Sequence, residues 1–372
     1  MSQSIEALTK SLLHAARQAG ADSADAMAVR GTSVNVDVRG GVLEQAERAE
    51  GVDIGLRVFV GQRSANVSAS DTSDRTIEEM AIRAVAMAKE APEDPYIGLA
   101  DPDQLATDWD VEALELYDPA PEPSPEALQD DAARAEAAGL AVKGVSQVQS
   151  AGAGYGAQQV FMAASNGFEG GYRRTDRGLS CVAIAGSGTG MERDYDGDSR
   201  IFQTDLRSPE DIGTKAGERV LERMGARKPP TGAYPVLFDE RISSALIGHL
   251  LSAISGTAIA RGASWLRDAM GEQVLPKGMS LIEDPFRPRV AGSRPFDGEG
   301  LPTSRRTIVD DGLLQGWTLD LATARKLGLT PTGNAARGTG SNPGPATWNI
   351  ALSQGNATRA DLIRDMGTGL LV

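Results

Sequence analysis

The hydrophobic pattern of the first sixty residues changes period, from helix to strand. Ile5, Leu8, Leu12 and Ala16 recur three or four positions apart, which predicts an amphipathic helix over 4–19 stopped by Gly20. Val34, Val36 and Val38 then alternate with polar residues, and Val52, Ile54, Leu56, Val58 and Val60 form the cleanest period-two run in the chain. Gly40-Gly41 and Gly61-Gln62 supply turns that make these strands antiparallel neighbours. A second helix is expected to start at a Thr76-x-x-Glu79 capping box and to bury Ile77, Met80 and Ala84.

After a Pro-rich stretch at 116–125 the same order recurs. Ser124-Pro125 caps a helix ending at Gly139, strands occupy about 143–204 with an Asn166-Gly167 hairpin, and Ser208-Pro209 caps a helix carrying Ile212, Ala216 and Val220. Helix, meander, helix thus occurs twice, which suggests an internal duplication. Runs of strands joined by turns predict an α+β fold with antiparallel or mixed sheets.

Residues 225–235 are charged, rich in Pro and Gly, and without periodicity, so they read as a linker. That gives an N-terminal α+β domain over 1–224 and a C-terminal α+β domain over 236–372. The second opens on a short strand at 236–238 and a long apolar helix at about 240–256. Its Gly-rich loop, Gly333–Pro345, reads equally as a substrate flap or an ordinary surface loop. The chain stops on three apolar residues, Leu370-Leu371-Val372, where a polar tail is usual, so this domain is expected to be truncated.

Charge and composition narrow the chemistry. Residues 1–224 hold 21 Lys and Arg against 38 Asp and Glu, a balance of −17, while the remainder holds 16 against 13, a balance of +3. So acidic a half repels a phosphate backbone, and no nucleic-acid partner is expected. No apolar run approaches the ~20 residues that span a bilayer, and no membrane partner is expected either. One cysteine, Cys181, with no basic neighbour reads as an inert strand residue in a protein of the reducing cytoplasm. Arg287, Arg289, Arg294, Arg305 and Arg306 form a loose basic group suited to a peptide or an acidic partner.

Only two histidines, His14 and His249, occur in 372 residues, which leaves little room for histidine-based catalysis. Asp194-Tyr-Asp-Gly-Asp198 begins like a calcium loop but places its glycine too early, and reads as a polar hairpin tip. Gly186-Ser-Gly-Thr-Gly190 lacks the helix and lysine of a phosphate loop. On the 240–256 helix, Ile242, Leu246, His249 and Ala253 share one face, where His249 is expected to be a core or interface histidine on an apolar stripe. Ser244, Gly248, Ser252 and Gly256 form a ridge of small residues along another, fit for close approach of a neighbour.

The segment Asp239–Gly256 resembles the central helix of the TldD/PmbA proteins, and Gly55–Ser70 resembles their N-terminal hairpin. Ser165–Tyr172, Pro295–Gly300 leading to Arg305-Arg306 and Asp311-Gly312, and Arg325–Leu329 followed by Thr332-Gly-Asn334 also match, in the same order along nearly the whole chain. Catalytic members of that family carry His-Glu-x-x-x-His on this helix and a cysteine ligand nearer the C-terminus. Here the three chemical positions fall on Ser244, Ala245 and His249. Serine does not replace imidazole as a neutral zinc ligand, and alanine carries no proton.

The resemblance therefore implies the PmbA/TldE branch: a subunit with no catalytic residue and no metal site of its own. Its zinc would lie in a TldD-like partner that cleaves peptides or unfolded polypeptides. Gly248, Ser252, Arg305, Arg306 and Asn334 are the candidates for facing partner or substrate. Family chains also run past the Met366-Gly-Thr-Gly-Leu370 segment. Two competing readings stand beside this one: an autonomous peptidase with an unrecognised site, and a regulator of a DNA enzyme such as gyrase.

Overall fold

The computed structural model describes residues 3–372. A helix α1 (Ile5–Ala19) is N-capped by Ser4, whose hydroxyl accepts from the Ala7 N–H, and ends on Gly20 at φ 96°. Three strands follow, β1 (Ser23–Arg39), β2 (Val42–Val60) and β3 (Arg63–Ala69), and then α2 (Asp74–Glu90). The cap of α2 is Ser73. Thr76 lies inside the first turn with its hydroxyl on Asp71, so the expected Thr76-x-x-Glu79 box does not form and Ser73 alone caps the helix.

The second unit repeats the plan: α3 (Pro125–Ala141), β4 (Val145–Ala164), β5 (Glu169–Ala185), β6 (Glu192–Arg200) and α4 (Pro209–Glu222). All six strands form one antiparallel sheet in the order β3-β2-β1-β4-β5-β6. Equivalent strands of the two units thus lie symmetrically about the central β1–β4 pair. Asp194–Asp198 belongs to β6 rather than to a hairpin tip, because Asp194 and Asp196 point inward to Arg223, Arg241, Arg207 and Arg219.

One face of the sheet carries all four helices. Ala24, Ala26, Ala28, Ile54 and Leu56 pack under α1 and α2. Val34, Val36, Val38, Leu179 and Cys181 pack under α3 and α4. Gly213 lets α3 and α4 touch, since a Cβ there would lie 2.0 Å from the Ala135 carbonyl oxygen. Cys181 is fully buried, and burial pushes its thiol up to about 12, which keeps it unreactive.

The C-terminal part begins with β7 (Val236–Leu237), α5 (Glu240–Ala253) and α6 (Gly256–Ala260). It continues through β8 (Leu281–Glu283), β9 (Arg306–Asp310), β10 (Leu313–Leu314) and α7 (Leu321–Leu327). It closes with β11 (Ala335–Ala336), β12 (Gly344–Pro345), β13 (Ile350–Leu352), α8 (Arg359–Met366) and β14 (Leu370–Leu371). Its largest sheet runs β10-β9-β8-β13, with β14 parallel to β7 as a separate pair. Leu281, Ile308, Val309 and Leu314 of the sheet pack against Leu250, Ala253 and Ile254 at the end of α5. The two parts make the expected α+β fold, and no described helix is long and apolar enough to cross a membrane.

The C-terminal part covers only half of the second sheet face. There Met27, Val160 and Met162 meet Phe168 and Phe296. The other half is a bare cleft of about 1130 Å³ floored by Gly152, Gly154, Gly156 and Gly178 and bordered by Glu240 and Arg241.

Candidate functional site

Helix α5 starts where the bare half of the sheet ends. Asp239 caps it by accepting from the Arg241 N–H at 3.2 Å, and Arg241 in turn bonds Asp194 of β6 at 2.9 Å. Burial alone would raise the Asp194 carboxyl, but the hydrogen bonds from Arg241 and the Tyr195 N–H hold it below its ordinary value. That pair fixes the first turn of α5 against the sheet.

The rest of α5 turns one face inward and leaves the other open. Leu250 and Ala253 are buried, with Ile247 and Leu251 beside them. Ile242 is 38% exposed and Leu246 49%, and Ser244, Ala245 and His249 are exposed as well. The expectation of a core histidine at 249 is therefore corrected, since of that stripe only Ala253 is buried, while an interface position remains open to it. Gly256 does allow close packing, since a Cβ there would meet Thr323 Oγ1 at 2.5 Å. Gly248 has nothing within 4 Å of its Cβ position outside the helix's own backbone, and Ser252 is exposed, so that part of the ridge is unpartnered among the described residues.

The three positions of the zinc motif do not form a ligand set. His249 is exposed on α5, and among the described residues no three histidine, cysteine or carboxylate side chains are placed to hold a metal ion. Ser244 and Ala245 supply neither imidazole nor carboxylate, so of these three positions only His249 offers a zinc ligand.

The other expected contact residues divide into two groups. Arg305 is exposed and stands 3.7 Å from Asp284. Arg306 and Asn334 face inward, which corrects their assignment to a contact surface. Arg306 donates to Glu283 at 2.5 Å, to the Trp317 carbonyl at 2.9 Å and to Thr318 at 2.7 Å. Asn334 donates to Glu283 at 2.9 Å and to the Ala346 carbonyl at 2.8 Å. Both satisfy a buried glutamate, which without them would be an uncompensated charge. Arg289 is likewise spent, on Glu115 and Asp205.

The Gly-rich loop is docked on the sheet. Arg337 is buried and paired with Asp25 of β1, which also accepts from Arg57 of β2 at 2.5 Å. A Cβ on Gly55 would lie 2.1 Å from the Thr339 carbonyl oxygen, so only glycine permits this approach. Sequence reading missed this triad, whose members lie up to 312 residues apart.

Beside the triad are two carboxylates whose protons are held by their surroundings. Burial raises Asp297 to about 6, against hydrogen bonds from three backbone N–H groups. Burial, and next the charge of Asp297, raise Glu299 to about 8. Both folded values exceed the free values of 3.8 and 4.5, so their stabilising contribution is complete below about pH 4 and is lost as pH rises through 6 and 8. Glu299→Gln is therefore expected to raise stability by about 1–3 kcal/mol at pH 8 and far less at pH 5. Urea unfolding at the two pH values checks this, and equal stability of both proteins at pH 8 would refute it.

The PmbA/TldA metallopeptidase domain 1 family matches residues 24–88, its central domain 118–224 and its C-terminal domain 231–372. The metalloprotease PmbA of Escherichia coli O157:H7 is 36% identical over 94% of this chain and 76% of its own length. A PmbA homologue of Haemophilus influenzae is 34% identical over 96% and 77%. A solved Bacteroides thetaiotaomicron structure, described as a modulator of DNA gyrase, superposes with a TM-score of 0.88 at 25% identity, covering 99% of this chain and 81% of that one. TldE of Thermococcus kodakarensis shares the fold, with a TM-score of 0.83 at 20% identity over 98% and 82% of the two chains. The chain belongs to the PmbA/TldD metallopeptidase family.

Proposed function

We propose that this chain is the PmbA/TldE-like subunit of a two-subunit zinc peptidase, and that it has no zinc site of its own. The observation that carries the reading is the open face of α5. Ser244 and Ala245 stand where the family motif has a ligand and a general base, and Gly248 presents a surface that no neighbouring element among the described residues covers. A helix face that lost its chemistry yet remains smooth and partly apolar suits the wall of a shared chamber, facing a zinc carried by a TldD-like subunit.

A polypeptide substrate then has a place to bind as an added strand. Strand β3 pairs only with Ile54–Val60 of β2, so Val42–Gly51 keeps an unpaired outer edge. The acidic N-terminal half disfavours nucleic acid as the substrate.

The test measures zinc content, sizing behaviour and peptide cleavage for this chain, for a TldD-like chain with an intact motif, and for their mixture. The expected result is no stoichiometric zinc in this chain, co-elution on mixing, and cleavage only by the mixture. Near one zinc per chain with chelator-sensitive activity would replace this reading by an autonomous peptidase. Full activity of the TldD-like chain alone would remove the need for a partner.

A further inference from the structure

Where the covered half of the sheet meets the C-terminal part there is a small cavity of about 110 Å³. Its walls include Met27, Met162 and Phe296, an apolar surround in which charge is weakly screened. Arg294 and Arg337 are also among its lining residues.

Their hydrogen-bonding capacity is not used up. The Arg337 side chain is 1% exposed and donates Nη1 to Asp25, but its Nε and Nη2 have no acceptor among the described residues. Asp25 is already shared with Arg57, so one carboxylate serves two buried guanidiniums. Arg294 gives Nη1 to the carbonyls of Ala291 and Ser293 and lies over the Trp348 ring at 5.1 Å. Arg174 donates to the same Ala291 carbonyl, and its own ionisation is weakened first by burial and next by the charge of Arg294. The acidic group of the wall, Asp297, accepts from the backbone N–H of Glu299, Leu301 and Ala335 and so offers these arginines little. Beside the cavity Arg337 thus keeps two buried donors without an acceptor, next to the partly buried guanidinium of Arg294.

We propose that this cavity is a binding site for one carboxylate or small oxyanion, held by Arg337 and Arg294. The volume equals about three to four waters at roughly 30 Å³ each, enough for an acetate- or phosphate-sized group and too little for a larger ligand. The group arrives either as a free ion or as the terminal carboxylate of an extended peptide. On β5, Tyr172 of the cavity wall is followed on the same sheet face by Arg174, Asp176, Gly178 and Ser180, which lead out along the bare floor. The site does not depend on a zinc-bearing partner.

The experiment titrates the full chain, at constant ionic strength, with sodium acetate, with sodium phosphate, and with one short peptide as free acid and as amide. Tryptophan fluorescence reads binding through Trp348, with Trp348→Phe as control, and calorimetry confirms it. We expect saturable binding that Arg294→Gln weakens by about tenfold or more, as loss of a charged partner in a desolvated site should. Preference for the free-acid peptide over its amide assigns the site to a chain terminus. Equal peptides with saturable acetate or phosphate assign it to free ions, and both results support the proposal. No saturable binding of any probe up to about 50 mM, or binding unchanged in Arg294→Gln, overturns it.

Discussion

Replacing Asp25 by alanine is expected to lower the unfolding free energy by about 3–5 kcal/mol. Asp25 is the carboxylate that compensates both Arg57 and Arg337, and all three side chains are almost wholly buried. Without it two guanidinium groups face one another in a poorly screened interior, and the cost is that of uncompensated charge rather than of a lost contact. The Gly-rich loop should come free as well, because Arg337 is its anchor and Thr339 rests on Gly55 through close backbone contact. Urea unfolding measures the first effect, and faster proteolytic nicking within 333–345 measures the second. Replacing Arg337 by methionine in the Asp25→Ala background should recover part of the loss, since one of the two stranded charges is then gone. A loss below about 1 kcal/mol in the single variant would show that the triad is not a closed electrostatic unit. The pH dependence has a definite sign. Burial opposes ionisation of Asp25, but Arg337 and then Arg57 hold its carboxyl below 3.8, so its contribution is present above that value and is lost as pH falls.

How much of this was legible in the sequence follows from the range of each interaction. Periodicity and turn chemistry are local, so the Val52–Val60 alternation, Gly40-Gly41, Asn166-Gly167 and the Ser-Pro caps place β2, its turn, the β4–β5 hairpin and α3 and α4 correctly. The repeated element order was legible for the same reason. The exposed Val42–Gly51 half of β2 was less so, because its charged residues give no alternation. Side-chain direction on α5 was misread, since an apolar stripe looks the same whether its cover lies inside the chain or outside it. Arg306 and Asn334 stood in resemblance blocks, which mark positions without saying what they touch. A polar residue that satisfies buried Glu283 carries the same letter as one that meets a substrate. Arg337, Asp25 and Arg57 left no local signal at all, because their pairing exists only once the loop folds onto the sheet.

Gly248→Leu should leave the isolated chain folded while weakening its assembly. Gly248 lies within α5, and a Cβ built there meets no atom within 4 Å outside the helix's own backbone, so a side chain at this position leaves the helix into open space. Helix propensity favours leucine over glycine by roughly 0.8–1 kcal/mol, so thermal unfolding of the free variant should be unchanged or slightly raised. The effect differs once a neighbouring subunit packs on Ser244, Gly248 and Ser252. A branched side chain in a closely apposed ridge costs about 1–3 kcal/mol or more by overpacking, a loss of roughly 5- to 150-fold in affinity. His249→Ala provides the comparison, since its exposed ring should contribute less than about 0.5 kcal/mol to the free chain. Sizing chromatography with a TldD-like subunit, together with thermal unfolding of each variant alone, separates the two effects. A Gly248→Leu protein that still co-elutes and still supports cleavage would place the interface away from the open face of α5. A variant that fails to fold would mean that something in this chain already covers that face, contrary to the open space around Gly248.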